Sequence, residues 1–263
     1  MTNRKETGEM KEIQLEYVLP ENIEKRSFEI IREELRERGI CLPADQDPVT
    51  RRVIHTTADF DYAETMTYSP DALETAYRVL RSGGDIVTDT NMTRSGINKK
   101  FLRTLGGEVH CFMAEPDVAA EAKERGVTRA TVSMERALKL TKPLIVAVGN
   151  APTALVSLHE IMENTGWRPE LIIGVPVGFV NVVPAKELIL RSGVPCIINR
   201  GRKGGSNVQC SAVSDSGRKS AGKEIDHGFK EGTSEGVHHR ELRSRGGKSG
   251  AVHASYRQRE GRN

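Results

Sequence analysis

The residue best suited to acid–base chemistry is His55. It stands in the run His55-Thr56-Thr57-Ala58-Asp59-Phe60-Asp61, where hydroxyls and carboxylates crowd one imidazole. An imidazole titrates near neutral pH, so a histidine in polar surroundings can hold or deliver a proton at working pH. His110 lies in an apolar run and His159 in a helical pattern, and both read as structural. Four other segments mix small residues with hydrogen-bonding ones: Asp89-Thr90-Asn91-Met92-Thr93-Arg94-Ser95-Gly96, Gly149-Asn150-Ala151-Pro152-Thr153, Gly174-Val175-Pro176-Val177-Gly178-Phe179-Val180-Asn181 and Asn199-Arg200-Gly201-Arg202-Lys203-Gly204-Gly205-Ser206-Asn207. Glycine lets a backbone approach a ligand closely. Several of these segments lead into helical patterns, whose free N–H groups favour carboxylate or phosphate. The last segment adds Arg200, Arg202 and Lys203. Together the four suit a large ligand bearing several negative charges.

Such segments need a frame to bring them together. Short apolar runs predict strands at 85–88, 108–112, 144–148, 171–174 and 196–198. Helical patterns at 97–105, 117–125, 131–140, 154–165 and 184–192 alternate with them, after helices predicted at 20–38, 48–53 and 70–81. This alternation calls for an α/β fold with a mostly parallel sheet and helices on both faces. Ligands of such sheets bind beyond the carboxyl ends of the strands, where the four segments fall. No strand is followed by G-x-G-x-x-G, and Gly246-Gly247-Lys248-Ser249 has Leu242 where a P-loop needs its first glycine. A dinucleotide-dependent oxidoreductase is therefore the weaker alternative.

Composition divides the chain. Residues 1–208 are periodic and rich in Ile, Leu and Val, whereas 209–263 are mostly Gly, Ser, Arg, Lys, Glu and His. Residues 209–263 hold 11 Lys and Arg against 7 Asp and Glu; taking these from the chain totals of 39 and 36 leaves 28 and 29, a net of −1 for the body. The overall +3 belongs to the tail, so no nucleic-acid-binding face is expected on the body. Cys41, Cys111, Cys196 and Cys210 form no C-x-x-C pair and no zinc spacing, as expected of buried free thiols in a reducing compartment. The first residues are polar, and no apolar run reaches the roughly 18–20 residues of a membrane span, so a cytoplasmic protein is expected.

Arg52-Val53-Ile54-His55-Thr56-Thr57-Ala58-Asp59-Phe60, Gly149-Asn150-Ala151-Pro152-Thr153-Ala154-Leu155, Gly174 to Asn181, and Gly201 to Asn207 resemble the motifs of the precorrin-8X methylmutases, in order and at fitting spacings over about residues 15–208. The resemblance implies a three-layer α/β sandwich that forms a homodimer. It implies an isomerase of cobalamin biosynthesis that moves a methyl group from C11 to C12 of (cobalt-)precorrin-8, giving hydrogenobyrinic or cobyrinic acid. No organic cofactor and no protein metal site are implied, since any cobalt arrives within the corrinoid substrate. His55 aligns with the family's catalytic histidine. Substrate contacts are expected from Thr57, Asp59, Thr90, Arg94, Asn150, Thr153, Val177, Gly178, Arg202, Lys203 and Gly204. The Thr56-Thr57-Ala58-Asp59 version is similar to that of the cobalt branch.

The family continues beyond Val208 into a short alanine-rich apolar helix. Here the pattern stops at Gln209, and 209–263 has nine glycines and no helical stripe. That predicts a methylmutase domain over 1–208 and a polar, disordered tail over 209–263. The switch is abrupt and lies inside a motif-led element, as a shifted reading frame would make it. The departure raises one alternative, a non-catalytic homologue that still binds corrinoids.

Overall fold

The computed structural model of the chain describes residues 15–216. Expectations for 217–263, including the disordered tail and the incomplete P-loop, lie outside the described residues. In chain order the elements are α1 (Ile23–Glu37), α2 (Asp47–Thr57), α3 (Tyr62–Thr65), β1 (Met66–Tyr68), α4 (Ala72–Arg81), β2 (Asp85–Thr88), α5 (Asn91–Gly96), α6 (Lys99–Thr104), β3 (Val109–His110), α7 (Pro116–Arg125), α8 (Arg129–Ala137), β4 (Leu144–Val148), α9 (Pro152–Thr165), β5 (Leu171–Gly174), α10 (Val182–Leu190), β6 (Cys196–Asn199) and α11 (Ser206–Ser216). The six strands form one sheet in the order β1-β6-β5-β4-β2-β3. All neighbours run parallel except β1, which pairs antiparallel with β6.

The strands explain the layers. Successive strand side chains point to opposite faces, and β2, β4, β5 and β6 are buried throughout. Ile86, Ile145, Ala147, Ile173 and Ile197 enter a core shared with α1, α2, α4 and α11. Val87, Leu144, Val146, Val148, Ile172 and Ile198 enter a second core with α8, α9 and α10. A sheet apolar on both faces must be covered twice, and the result is a three-layer α/β sandwich. The chain leaves β2 toward the β3 edge, returns to β4 on the other side of β2, and then proceeds through β5 to β6. The direction of winding therefore reverses between β2 and β4. Among the described residues no helix is long and apolar enough to cross a membrane. Cys111, Cys196 and Cys210 are buried free thiols, while Cys41 is exposed rather than buried.

Four expectations need correction. Helix α2 does not stop at 53 but continues through His55 to Thr57, where Ala58 takes a left-handed conformation and caps it. The polar residues of this half-buried stretch are tolerated because they find partners: Arg52 bonds Glu24 and Asp215, Thr56 bonds Ser211, and Thr57 donates to Val53 O. The segment from Asn91 to Gly96 is a short helix rather than a loop, started by the Thr90 hydroxyl accepting from the Thr93 N–H. Strand β1, too short to leave a pattern in the sequence, adds an antiparallel edge.

The fourth correction concerns the boundary at 208, which falls inside α11. Val208, Ala212 and Val213 supply a narrow apolar stripe that enters the first core. The residues Val208 to Ser216 are all buried, including the polar Gln209, Ser211, Ser214, Asp215 and Ser216. Most of these find partners: Ser211 bonds the Thr56 hydroxyl at 2.7 Å, Asp215 pairs with Arg52 at 2.8 Å, and Gln209 Oε1 accepts from Thr93 at 2.6 Å. Among the described residues Gln209 Nε2 and Ser214 Oγ have none. An unpaired buried amide costs about 1–3 kcal/mol. Gln209→Met keeps the volume and removes that group, so thermal unfolding should shift upward by about 2–4 °C; a lower midpoint would show that Nε2 is satisfied.

Candidate active site

The loops after β2, β4, β5 and β6 all emerge at one edge of the sheet, and hydrogen bonds tie them into one rim. The centre is Asp89, directly after β2 and 1% exposed. Its carboxylate accepts from the backbone N–H groups of Gly149 at 2.9 Å, Asn150 at 2.8 Å and Ala151 at 2.8 Å. These amides precede α9, where an open α/β sheet would receive a ligand's phosphate. Asp89 fills that nest from within, which argues against a dinucleotide at the switch point. Burial raises the Asp89 pKa, while the three amide bonds act in the opposite direction by stabilising the carboxylate.

The β6 loop is the most constrained part of the rim. Gly204 has φ of +155°, and a Cβ there would lie 2.0 Å from the Val175 carbonyl oxygen. Only glycine permits this contact between the β5 and β6 loops. Gly205 N–H donates to Val175 O at 2.9 Å, and Gly178 N–H donates to Arg202 O at 3.1 Å. The Arg202 guanidinium lies 5.3 Å from the centre of the Phe179 ring. Phe179 and Val180 are 82% and 79% exposed, so an apolar surface adjoins the cations. Thr90 joins the rim by bonding Ser206 at 3.0 Å, at the start of α11.

The end of α2 meets the same loop. Lys203 Nζ donates to Asp59 at 2.5 Å and Asp61 at 2.6 Å. The Lys203 bond lowers the Asp59 pKa, and the two carboxylates raise that of Lys203. Thr57 turns its hydroxyl back to Val53 O at 2.8 Å, within its own helix. His55 is half-buried, one turn after Arg52 on α2. Its ring stacks on Phe28 with centroids 5.0 Å apart and planes 29° apart. Arg52 covers Phe28 at 4.7 Å and bonds Asp215 and Glu24. Beside this group lies a cavity of about 290 Å³ lined by Lys25, Phe28, Glu29, Arg32, Arg51 and Arg52, among others.

Of the residues singled out by sequence, the structure joins Asp59 with Lys203, Gly178 with Arg202, Thr90 with Ser206, and Asn150 with Asp89. Val177 is exposed and Gly204 packs at the base of the same rim. Thr153 is exposed on the first turn of α9. Arg94 stands apart from this set, with Lys99, Arg103 and His110 around a cavity of about 150 Å³ at the end of β3. Sequence reasoning missed the role of Asp89, the Phe28 partner of His55, and Lys186. Lys186 did leave a signal: it falls on the stripe of Val182, Ala185 and Ile189, where a lone cation in a core-facing position is unusual.

The description "Precorrin-8X methylmutase" belongs to a family model that matches residues 22–215. The chain belongs to the precorrin-8X methylmutase family. It is 41% identical over 196 residues to a cobalt-precorrin-8 methylmutase of Priestia megaterium, covering 74% of this chain and 86% of that one. It is 40% identical to a cobalt-precorrin-8 methylmutase of Salmonella typhimurium (74% and 92% covered) and 37% identical to a precorrin-8X methylmutase of Pseudomonas aeruginosa (73% and 91%). A solved precorrin-8X methylmutase from Thermus thermophilus superposes with a TM-score of 0.67 at 37% identity, covering 74% of this chain and 95% of that one. The family match runs to residue 215, so α11 belongs to the methylmutase body.

Asp89 is the part of this site most open to a direct test. Asp89→Ala leaves three buried amides without an acceptor, and should cost about 3–5 kcal/mol. Thermal unfolding should then fall by about 10 °C or more, whereas a change of only a degree or two would show that the amides find other partners.

Proposed function

We propose that this chain is an isomerase that moves a methyl group from C11 to C12 of cobalt-precorrin-8, with His55 as the acid. The family membership supports the reaction. The single structural observation that supports the role of His55 is its half-buried imidazole, stacked on Phe28 beside a cation-lined cavity. The shift is intramolecular, so no nucleophile or organic cofactor is required, and any metal arrives within the substrate. A proton delivered near a ring nitrogen polarises the conjugated system, and a fixed pocket holds the ring in its reactive shape. A corrinoid carries several carboxylates around an apolar ring. Arg202 and Lys203 suit the carboxylates, while Val177, Gly178 and the exposed Phe179 suit the ring face. Thr57, Asp59, Thr90, Asn150, Thr153 and Gly204 complete the proposed contacts. Arg94 does so from farther along the sheet edge.

The cobalt form of the substrate is favoured by the Thr56-Thr57-Ala58-Asp59 sequence and by the names of the first relatives. The homodimer and the cytoplasmic setting rest on the family resemblance. His55→Ala should lower kcat about 10²–10⁴-fold. Binding of hydrogenobyrinic acid, followed by its visible bands, should stay within about threefold. Unchanged turnover would remove His55 from the acid role.

One observation favours a second reading, a corrinoid binder with impaired turnover. Helix α11 brings Asp215 onto Arg52, one turn from His55, and leaves Gln209 Nε2 unpaired. A change of reading frame near codon 208 is weakened by the family match, which runs on to residue 215. The other frames of the coding DNA there should encode an apolar, alanine-rich helix if the frame idea holds; if none does, it fails.

A further inference from the structure

Helix α10 turns Val182, Ala185, Lys186 and Ile189 into the protein. Lys186 has no exposed surface. Among the described residues no carboxylate pairs with it. Its Nζ donates instead to Gly201 O at 2.8 Å and Lys203 O at 2.9 Å, two carbonyls of the cationic β6 loop. Asn199 Nδ2 donates to Lys203 O as well, at 2.8 Å, and Gly178 N–H takes Arg202 O at 3.1 Å. The carbonyls of Gly201 and Lys203 are thus held from the buried side, and that of Arg202 by the neighbouring β5 loop.

The planar trans peptide links the direction of each carbonyl to that of the next amide. Each C=O points opposite to the N–H of the next residue, and the described chain has no cis bond. Carbonyls of Gly201 and Lys203 turned inward onto Lys186 direct the amides of Arg202 and Gly204 outward. The Arg202 and Lys203 side chains are exposed on the same loop. An isolated buried ammonium is costly, and burial lowers Lys186 to about 8. An apolar side chain in α10 would avoid that cost but would leave Gly201 O without its donor and Lys203 O with Asn199 alone.

We propose that Lys186 is a positioning residue: it holds the carbonyls of Gly201 and Lys203 so that the amides of Arg202 and Gly204, with the Arg202 side chain, face outward and grip a substrate carboxylate, while Lys203 stays tied to Asp59 and Asp61. This rests on the methylmutase reading for the identity of the ligand. Lys186 acts on binding through the loop and touches no reacting atom.

The test uses the full chain and Lys186→Met, which keeps the length and removes the donors. The KM for cobalt-precorrin-8 and the Kd for hydrogenobyrinic acid should rise about 10–100-fold, with kcat within about threefold. Deuterium exchange at Gly178 and Gly205, whose amides bond across the β5 and β6 loops, should speed up about tenfold or more. Arg202→Ala should add less on top of K186M than it does alone, because the displaced loop has already lost that contact. A folded K186M with unchanged KM and Kd, or one that loses kcat alone, overturns the proposal. If K186M does not fold, Asn199→Ala removes a second donor to Lys203 O, and should raise KM about 3–10-fold; an unchanged KM overturns the proposal there too. If the unsubstituted chain neither binds nor converts corrinoid, the methylmutase reading fails. Exchange at Gly178 and Gly205 then decides by itself whether Lys186 holds the loop, and equal rates in K186M would overturn that.

Discussion

The strand-end rim depends on one buried carboxylate. Asp89 joins the end of β2 to the first amides before α9, across the point where the sheet reverses its winding. The β2–β4 ladder runs to Thr88 and Ala147, and the Asp89 side chain carries the connection past the strand ends. With the gap closed, Gly149 can pack against Gln209 of α11, and α11 can start beside Thr90. A Cβ at Gly149 would come within 2.3 Å of Gln209 Oε1, so this packing tolerates no larger residue. The same closure removes the anion site that a dinucleotide-binding fold leaves open.

The β5 and β6 loops meet by a different means. Gly204 brings its backbone onto the Val175 carbonyl, and Lys186 and Asn199 hold the neighbouring carbonyls from below. Burying an ammonium without a carboxylate gains no Coulombic pairing. It does give a glycine-rich loop a fixed shape, and a loop of fixed shape loses less entropy on gripping a ligand. Asp59 and Asp61 then tie the outer end of that loop, through Lys203, to the helix that bears His55. His55 and the cationic loop are therefore linked through ion pairs even though they lie about 150 residues apart in sequence.

Helix α11 is the discordant element. Its position is that of a buried helix, between α2 and the strand ends, yet its sequence offers hydroxyls, an amide and a carboxylate to that space. Local partners absorb most of them: Thr56 takes Ser211, Arg52 takes Asp215, and Thr93 takes one end of Gln209. Val208, Ala212 and Val213 carry the packing. The helix is thus held by a narrow stripe and by polar bonds that a wholly apolar helix would not need.

By itself the sequence determined the α/β class, the strands of the parallel sheet, the family and the residues of the rim, because period-two and helical patterns and glycine-rich motifs are local properties of the chain. It also singled out His55 by its polar neighbours. It could not show that α2 extends through His55, since the polar residues there are held by partners distant in the chain, Ser211 and Asp215. It placed the end of the body at 208, because three apolar positions in α11 are too few to stand out without the core that receives them. Asp89 as the bridge at the switch point, Phe28 as the partner of His55 and Lys186 as the support of the β6 loop were decided only in three dimensions. Each of these acts on residues 15 to 62 positions away in the chain. A hydrogen bond or a ring contact of that kind exists only once the sheet has brought its partners within about 3–5 Å.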